Sequence, residues 1–146
     1  MRADVVRPHV EQLLKGILGS EDLVVDEDGD IPVRSGSALF YVRVLDGDPS
    51  LVRVFSTMLT GVKPTKKLFK TINDINAQIV SGRVFWVDED IVVVTEIVGS
   101  HLDREELEHA CRAIGTIADT FDDQIQSEHG GEKAFDEYDA LPVVER

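Results

Sequence analysis

The stretch Gly82–Gly99, GRVFWVDEDIVVVTEIVG, decides the fold. It reads as two β-strands joined by the acidic turn Asp88-Glu89-Asp90, because Val, Ile, Phe and Trp suit a pleated surface and the polar run marks a reversal. Neither strand alternates cleanly. Val84 and Trp86 share one parity and Phe85 and Val87 the other, while Val92 and Val94 oppose Ile91 and Val93. A sheet that is apolar on both faces needs cover on both. Helices of the same chain can supply one layer; what meets the second face is the functional question.

Upstream of this hairpin, residues 65–81 predict a helix, with Thr65 as N-cap and Leu68, Ile72, Ile75 and Ile79 as its apolar stripe. Lys63, Lys66, Lys67 and Lys70 gather near its start, the unfavourable end for the helix dipole, and read as solvated lysines or as a dock for an acidic partner or the acidic tail. Asn73 and Asn76 are unusual inside a helix and are expected to tie it to a neighbouring loop. Before it, Gly- and Pro-bearing turns separate strands at 31–34, 38–45 and 51–59, with Pro32 tolerated at a sheet edge. Val42, Val44, Val52 and Val54 form one face of these strands. Tyr41, Arg43, Arg53 and Phe55 hold the opposite parity, an aromatic and basic set in an acidic chain.

At the N-terminal side, residues 4–18 form an amphipathic pattern through Val6, Val10, Leu13, Leu14 and Ile17, closed by Gly19. Pro8 suits only a first turn, so the ordered helix is expected to start near it. Downstream of the hairpin, residues 103–129 predict a third helix. Asp103 and Glu106 have capping-box spacing, and Leu107, Cys111, Ile114, Ala118, Phe121 and Ile125 mark one face. Gly130-Gly131 stops it. The organisation expected is one α+β domain, residues 1–131, in the order α-β-β-β-α-β-β-α with an antiparallel five-stranded sheet, followed by an acidic tail, 132–146.

Composition narrows the function. The 146 residues are 42% hydrophobic, which suits one packed domain, and the net charge of -13 opposes binding to nucleic acid or an anionic membrane. The single cysteine, Cys111, excludes an internal disulfide and a cysteine zinc cluster. With no apolar signal core and no run of about 20 apolar residues, a cytoplasmic protein is expected. The run Asp26–Asp30, DEDGD, invites a calcium loop, yet aligning Gly29 as its glycine leaves Val24 and Ser35 at the end ligands. A solvated turn is the reading, and no metal site is assigned.

Phosphate loops, HExxH and GxSxG are absent, and His9, His101, His109 and His129 are scattered. Asp119, Asp122 and Asp123 read as an exposed polar face rather than catalytic acids. The chain is therefore expected to be no enzyme and to need no cofactor. Tyr41, Phe55 and Trp86 are side-chain types that anchor interfaces, and Arg43 and Arg53 would orient acidic or carbonyl groups. These five are the candidate peptide-binding residues, with Trp86 as plain core the competing reading.

The words DGDIPV at Asp28–Val33, INDIN around Asn73 and Asn76, GRVFWVDEDIVVVTEI, and IADTFDDQI followed by Gly130-Gly131 carry a likeness. Together with the element order, the chain resembles the type III secretion chaperone-like superfamily, and within it the YbjN-type branch. The resemblance implies a small α+β fold, often a homodimer, that binds segments of a client protein through apolar surface, without cofactor or catalytic residues. Two alternatives stand beside it. One is a structural or regulatory subunit that oligomerises and hides its spare face. The other is a small-molecule sensor, with Glu96 and Arg83 as convergent polar groups.

Overall fold

In a computed structural model, which describes residues 2–35 and 38–134, the elements follow the expected order. They are α1 (Ala3–Leu18), β1 (Ile31–Ser35), β2 (Ala38–Leu45), β3 (Leu51–Thr60), α2 (Lys66–Gln78), β4 (Arg83–Val87), β5 (Asp90–Val98), α3 (Arg104–His129) and β6 (Glu132–Lys133). The antiparallel sheet runs β1-β2-β3-β5-β4, and β6 pairs with the end of β3.

Local chemistry sets most boundaries. Thr65 Oγ1 accepts from Leu68 N at 3.0 Å, and Asp103 and Glu106 make both bonds of a capping box at the start of α3. Gly19 ends α1 in the left-handed region, at φ 65°. Pro8 differs from expectation: α1 begins a turn earlier, at Ala3, with Pro8 inside it. Val6, only 1% exposed, draws that first turn into the core, while Pro8 and Asp4 lie on the exposed side. On an exposed side, water can serve the carbonyl that proline cannot engage.

The hairpin reverses in two residues, not three. Val87 pairs with Asp90 across Asp88 and Glu89, whose φ values of 49° and 69° match a type I′ turn. That turn sets Phe85 opposite Val92 and Trp86 opposite Ile91, so each strand shows one parity to each face.

α1 and α3 cover one face. Beneath them lie Phe40, Val42, Val52, Val54, Val84, Ile91 and Val93, joined from α3 by Leu107, Cys111, Ile114 and Ile125. α2 flanks β4, where Asn76 does more than tie a loop. Its amide donates to Val84 O at 2.9 Å and accepts from Val84 N at 2.8 Å, occupying the edge of the strand as a partner backbone would. Cys111 sits in this core, and burial pushes its thiol up to about 12. Cys111 is therefore expected to ignore a thiol reagent such as Ellman's in the native chain and to react fully in denaturant. Rapid native labelling would contradict its placement.

Two more differences concern the end of α3. Asp122 is not on an exposed face but 1% exposed, with Lys133 Nζ 3.7 Å away and also bonded to Asp123. Lys133 belongs to β6, which lies within the stretch expected as tail and adds a sixth strand. Packing at Gly131 explains the turn between them: a Cβ there would come 2.6 Å from Val62 Cγ2 and 2.7 Å from Thr60 O. The remainder of the expected tail, 135–146, lies outside the described residues, as does the turn at 36–37. No helix among the described residues is long and apolar enough to cross a membrane.

Candidate functional site: the open face of the sheet

Strand register gathers the candidate residues on the face that the helices leave open. Tyr41 pairs with Phe55 and Arg43 with Arg53; across the next ladder Phe55 meets Val94 and Arg53 meets Glu96. Arg83 and Phe85 follow on β4, opposite Val94 and Val92. Arg43, Arg53, Phe55, Arg83, Phe85, Val92 and Val94 line a hollow of about 180 Å³. Tyr41 stacks on Phe55 at 5.4 Å between ring centroids, on the rim of this set.

Trp86, the fifth candidate, stands apart. It lies on the helix side, donates Nε1–H to Val62 O at 2.8 Å and meets Phe69 edge-on. The residues missed from sequence are Phe85, Val92 and Val94, with Arg83 considered only as a polar group for a small ligand. Parity could have found them once the two-residue turn was recognised. Reading three turn residues leaves the register of β4 against β5 open.

Charge explains how three guanidiniums share one hollow. Like charges directly opposite in a sheet destabilise it, and Arg43 faces Arg53. Each is compensated differently. Arg43 is held by both oxygens of Asp30, at 2.7 and 2.6 Å, and its guanidinium lies 4.9 Å over the Phe55 ring. That bond raises the Arg43 pKa above its ordinary value. Asp30 is thus a buried anchor, not part of a solvated turn. Asp26 and Asp28 stand close enough to share a cation with it, yet Asp30 is committed to Arg43 and Asp26 Oδ1 accepts from the backbone of Asp28 and Asp30. Arg83 grips Glu96 with two bonds, at 3.0 and 2.9 Å. Arg53 reaches Glu96 only at 3.6 Å, and its buried Nε has no acceptor among the described residues. A sheet that retains this arrangement carries a local cost of the kind found at working surfaces.

Arg83 hydrogen bonding, aided by the nearby charges of Arg83 and Arg53, holds the Glu96 carboxyl below the usual carboxylate range. A depressed folded pKa means the contribution is complete above the unfolded value, about 4.3, and is lost as pH falls through the folded one. In denaturant titrations, Glu96→Gln is expected to be less stable than the wild type at neutral pH. That gap should begin to narrow below about pH 4.3 and close as pH falls through the lower folded value, where the native carboxylate is protonated too. A gap independent of pH would contradict the pairing.

The alternative of a small-molecule pocket finds little support here. Glu96 and Arg83 engage each other, and the hollow is below the roughly 300–1,000 Å³ of ligand pockets but the size of one or two side chains. A larger depression, about 310 Å³, lies between the end of α2 and α3 and is a shallow apolar dip beside His109 and Arg112.

Comparison with known proteins bears on this face. Residues 4–137 match the family described as T3SS (YopN, CesT) and YbjN peptide-binding chaperone 1. Among solved structures, the chain is similar to the crystal structure of YbjN from E. coli, a protein described as a candidate transcription regulator. The TM-score is 0.53 and the identity 15%, over 80% of this chain and 91% of that one. No curated protein matches the chain.

Proposed function

We propose, from the premise that the chain belongs to the T3SS (YopN, CesT) and YbjN peptide-binding chaperone family, that it holds an extended segment of a client protein across its open sheet face. The observation that supports this most is the one-sided sheet: helices pack on one face, and the other presents Phe55, Phe85 and Val92 beside Arg43, Arg53 and Arg83. The apolar floor suits an aromatic or aliphatic anchor, and the guanidiniums suit carboxylate or carbonyl groups at its flanks. Recognition by the face is favoured over strand addition at an edge. Asn76 already occupies the edge of β4 at Val84, and Pro32 removes a donor from β1.

We place this role in the cytoplasm and outside catalysis, on the strength of the family. The likeness to YbjN is one of fold and transfers no regulatory role. We place a homodimer contact away from this face, since an isologous pair would set the same cluster of three guanidiniums against itself.

Peptides selected from a displayed random library on the wild-type chain test the reading. Phe55→Asp is expected to weaken their binding at least about tenfold, some 1.4 kcal/mol. Phe69→Asp, the same change on the helix side, should leave it within about twofold, by the small effect expected of contacts outside the interface. Circular dichroism checks both folds. Failure to select any peptide, or equal binding by both variants, would sink the proposal.

A further inference from the structure

We propose that residues 135–146, FDEYDALPVVER, are a built-in occupant of the open sheet face, docking on it within the same chain and competing with a client. This inference rests on the reading of that face as a peptide site and names the chemistry of what it takes.

Three observations converge. The first is where the described chain leaves the sheet. β6 is held beside β3 by its pairing and by Lys133 between Asp122 and Asp123. The next residue, Ala134, lines a hollow on the open face with Leu39, Tyr41, Thr57, Thr60 and Asp90. Tyr41 and Arg43 are two positions apart on β2, and Thr57 and Arg53 four apart on β3. The arginine-lined hollow therefore begins about 7–13 Å farther on, at roughly 3.3 Å per strand residue.

Reach is the second. Twelve residues extend to about 40 Å, against about 20 Å for the width of a five-stranded sheet. Four or so residues after Ala134 bring the segment over Arg53 and Phe55, with the rest able to cross to β4.

Complementarity is the third. The arginine-lined hollow holds three guanidiniums, paired with only two carboxylates, Asp30 and Glu96, in a chain of net charge -13. The segment offers Asp136, Glu137, Asp139 and Glu145 against the single cation Arg146, with Phe135 and Tyr138 as anchors. Arg53 is the least committed of the three: it reaches Glu96 only at 3.6 Å, and its side chain is one-third exposed, at 34%, so a carboxylate from outside can meet its guanidinium. The first hollow, where Asp90 is the acidic member, suits the ring of Phe135 rather than a carboxylate.

The test uses the full chain and a labelled synthetic peptide of residues 135–146. In the wild type an occupying segment acts at an effective concentration in the millimolar range. The labelled peptide is therefore expected to bind a full-chain D136K/E137K/D139K variant at least about tenfold more tightly than the wild type. Adding Arg53→Glu to that variant should weaken the peptide about tenfold again, by loss of a charge-assisted contact. A second full-chain variant, F135S/Y138S, should show the same gain without altered charge. Equal affinity for wild type and variants would overturn the proposal, and so would no binding to any. If library-selected peptides still bind while the tail peptide does not, the tail proposal falls and the peptide-site reading stands; if neither binds, both fall. Docking onto a second copy would appear in light scattering as a mass that doubles with concentration for the wild type but not for the variants, and would overturn the intramolecular form.

Discussion

Gly131→Ala is expected to lower stability by about 2–4 kcal/mol in urea titrations. Two costs combine. The residue sits at φ 92°, a region that disfavours a side chain by about 1–2 kcal/mol. The new methyl would also stand 2.7 Å from Thr60 O and 2.6 Å from Val62 Cγ2, and overpacking of this kind costs about 1–3 kcal/mol. Neither neighbour yields easily: Thr60 belongs to the paired end of β3, and Val62 is fully buried. The chain has one cheaper response, which is to release β6. If it does so, the measured loss equals the free energy of that local detachment and not the full clash. Hydrogen exchange separates the two cases, because release would accelerate exchange along β6 and the end of β3 while sparing β5. A loss under about 0.5 kcal/mol with unchanged exchange would mean that Gly131 does not have this close approach.

Asp30→Ala is expected to cost about 1–3 kcal/mol, while Asp28→Ala two residues away should stay within about 0.5 kcal/mol. The difference lies in burial and partners. The Asp30 side chain is 4% exposed and takes two bonds from Arg43, whose own side chain is 39% exposed. Removing a partner from a fully buried pair costs about 3–5 kcal/mol, but Arg43 can swing toward water, which trims the figure. The same swing would take its guanidinium off the Phe55 ring, so peptide affinity should fall with stability. Asp30→Asn, which keeps one acceptor oxygen, should lie between. Equal, mild effects at Asp28 and Asp30 would restore the reading of this run as solvated.

These two sites show where sequence reading stops. Gly131 was legible as a helix stop, since glycine after a long amphipathic run ends helices locally. That it also threads the chain between Val62 and Thr60 depends on segments some 70 residues away. Asp30 belonged to an acidic run whose composition suggests solvent, and only the β1–β2 register brings Arg43 across from it. The same holds for Asp122, buried because Lys133 folds back against it.

On its own the sequence determined what short-range physics controls. Caps at Thr65 and Asp103, the helix end at Gly19, strand spans and the two-residue parity that separates Val42, Val44, Val52 and Val54 from Tyr41, Arg43, Arg53 and Phe55 all follow from neighbours along the chain. Tertiary structure alone decided which parity the helices would cover, where Trp86 would point, and that Phe85, Val92, Val94 and Arg83 would complete the hollow. Period-two alternation divides a strand into two faces but carries no label for inside and outside when both are apolar. That choice is made by the helices, which bury the face that packs against them and leave arginines and aromatics on the other.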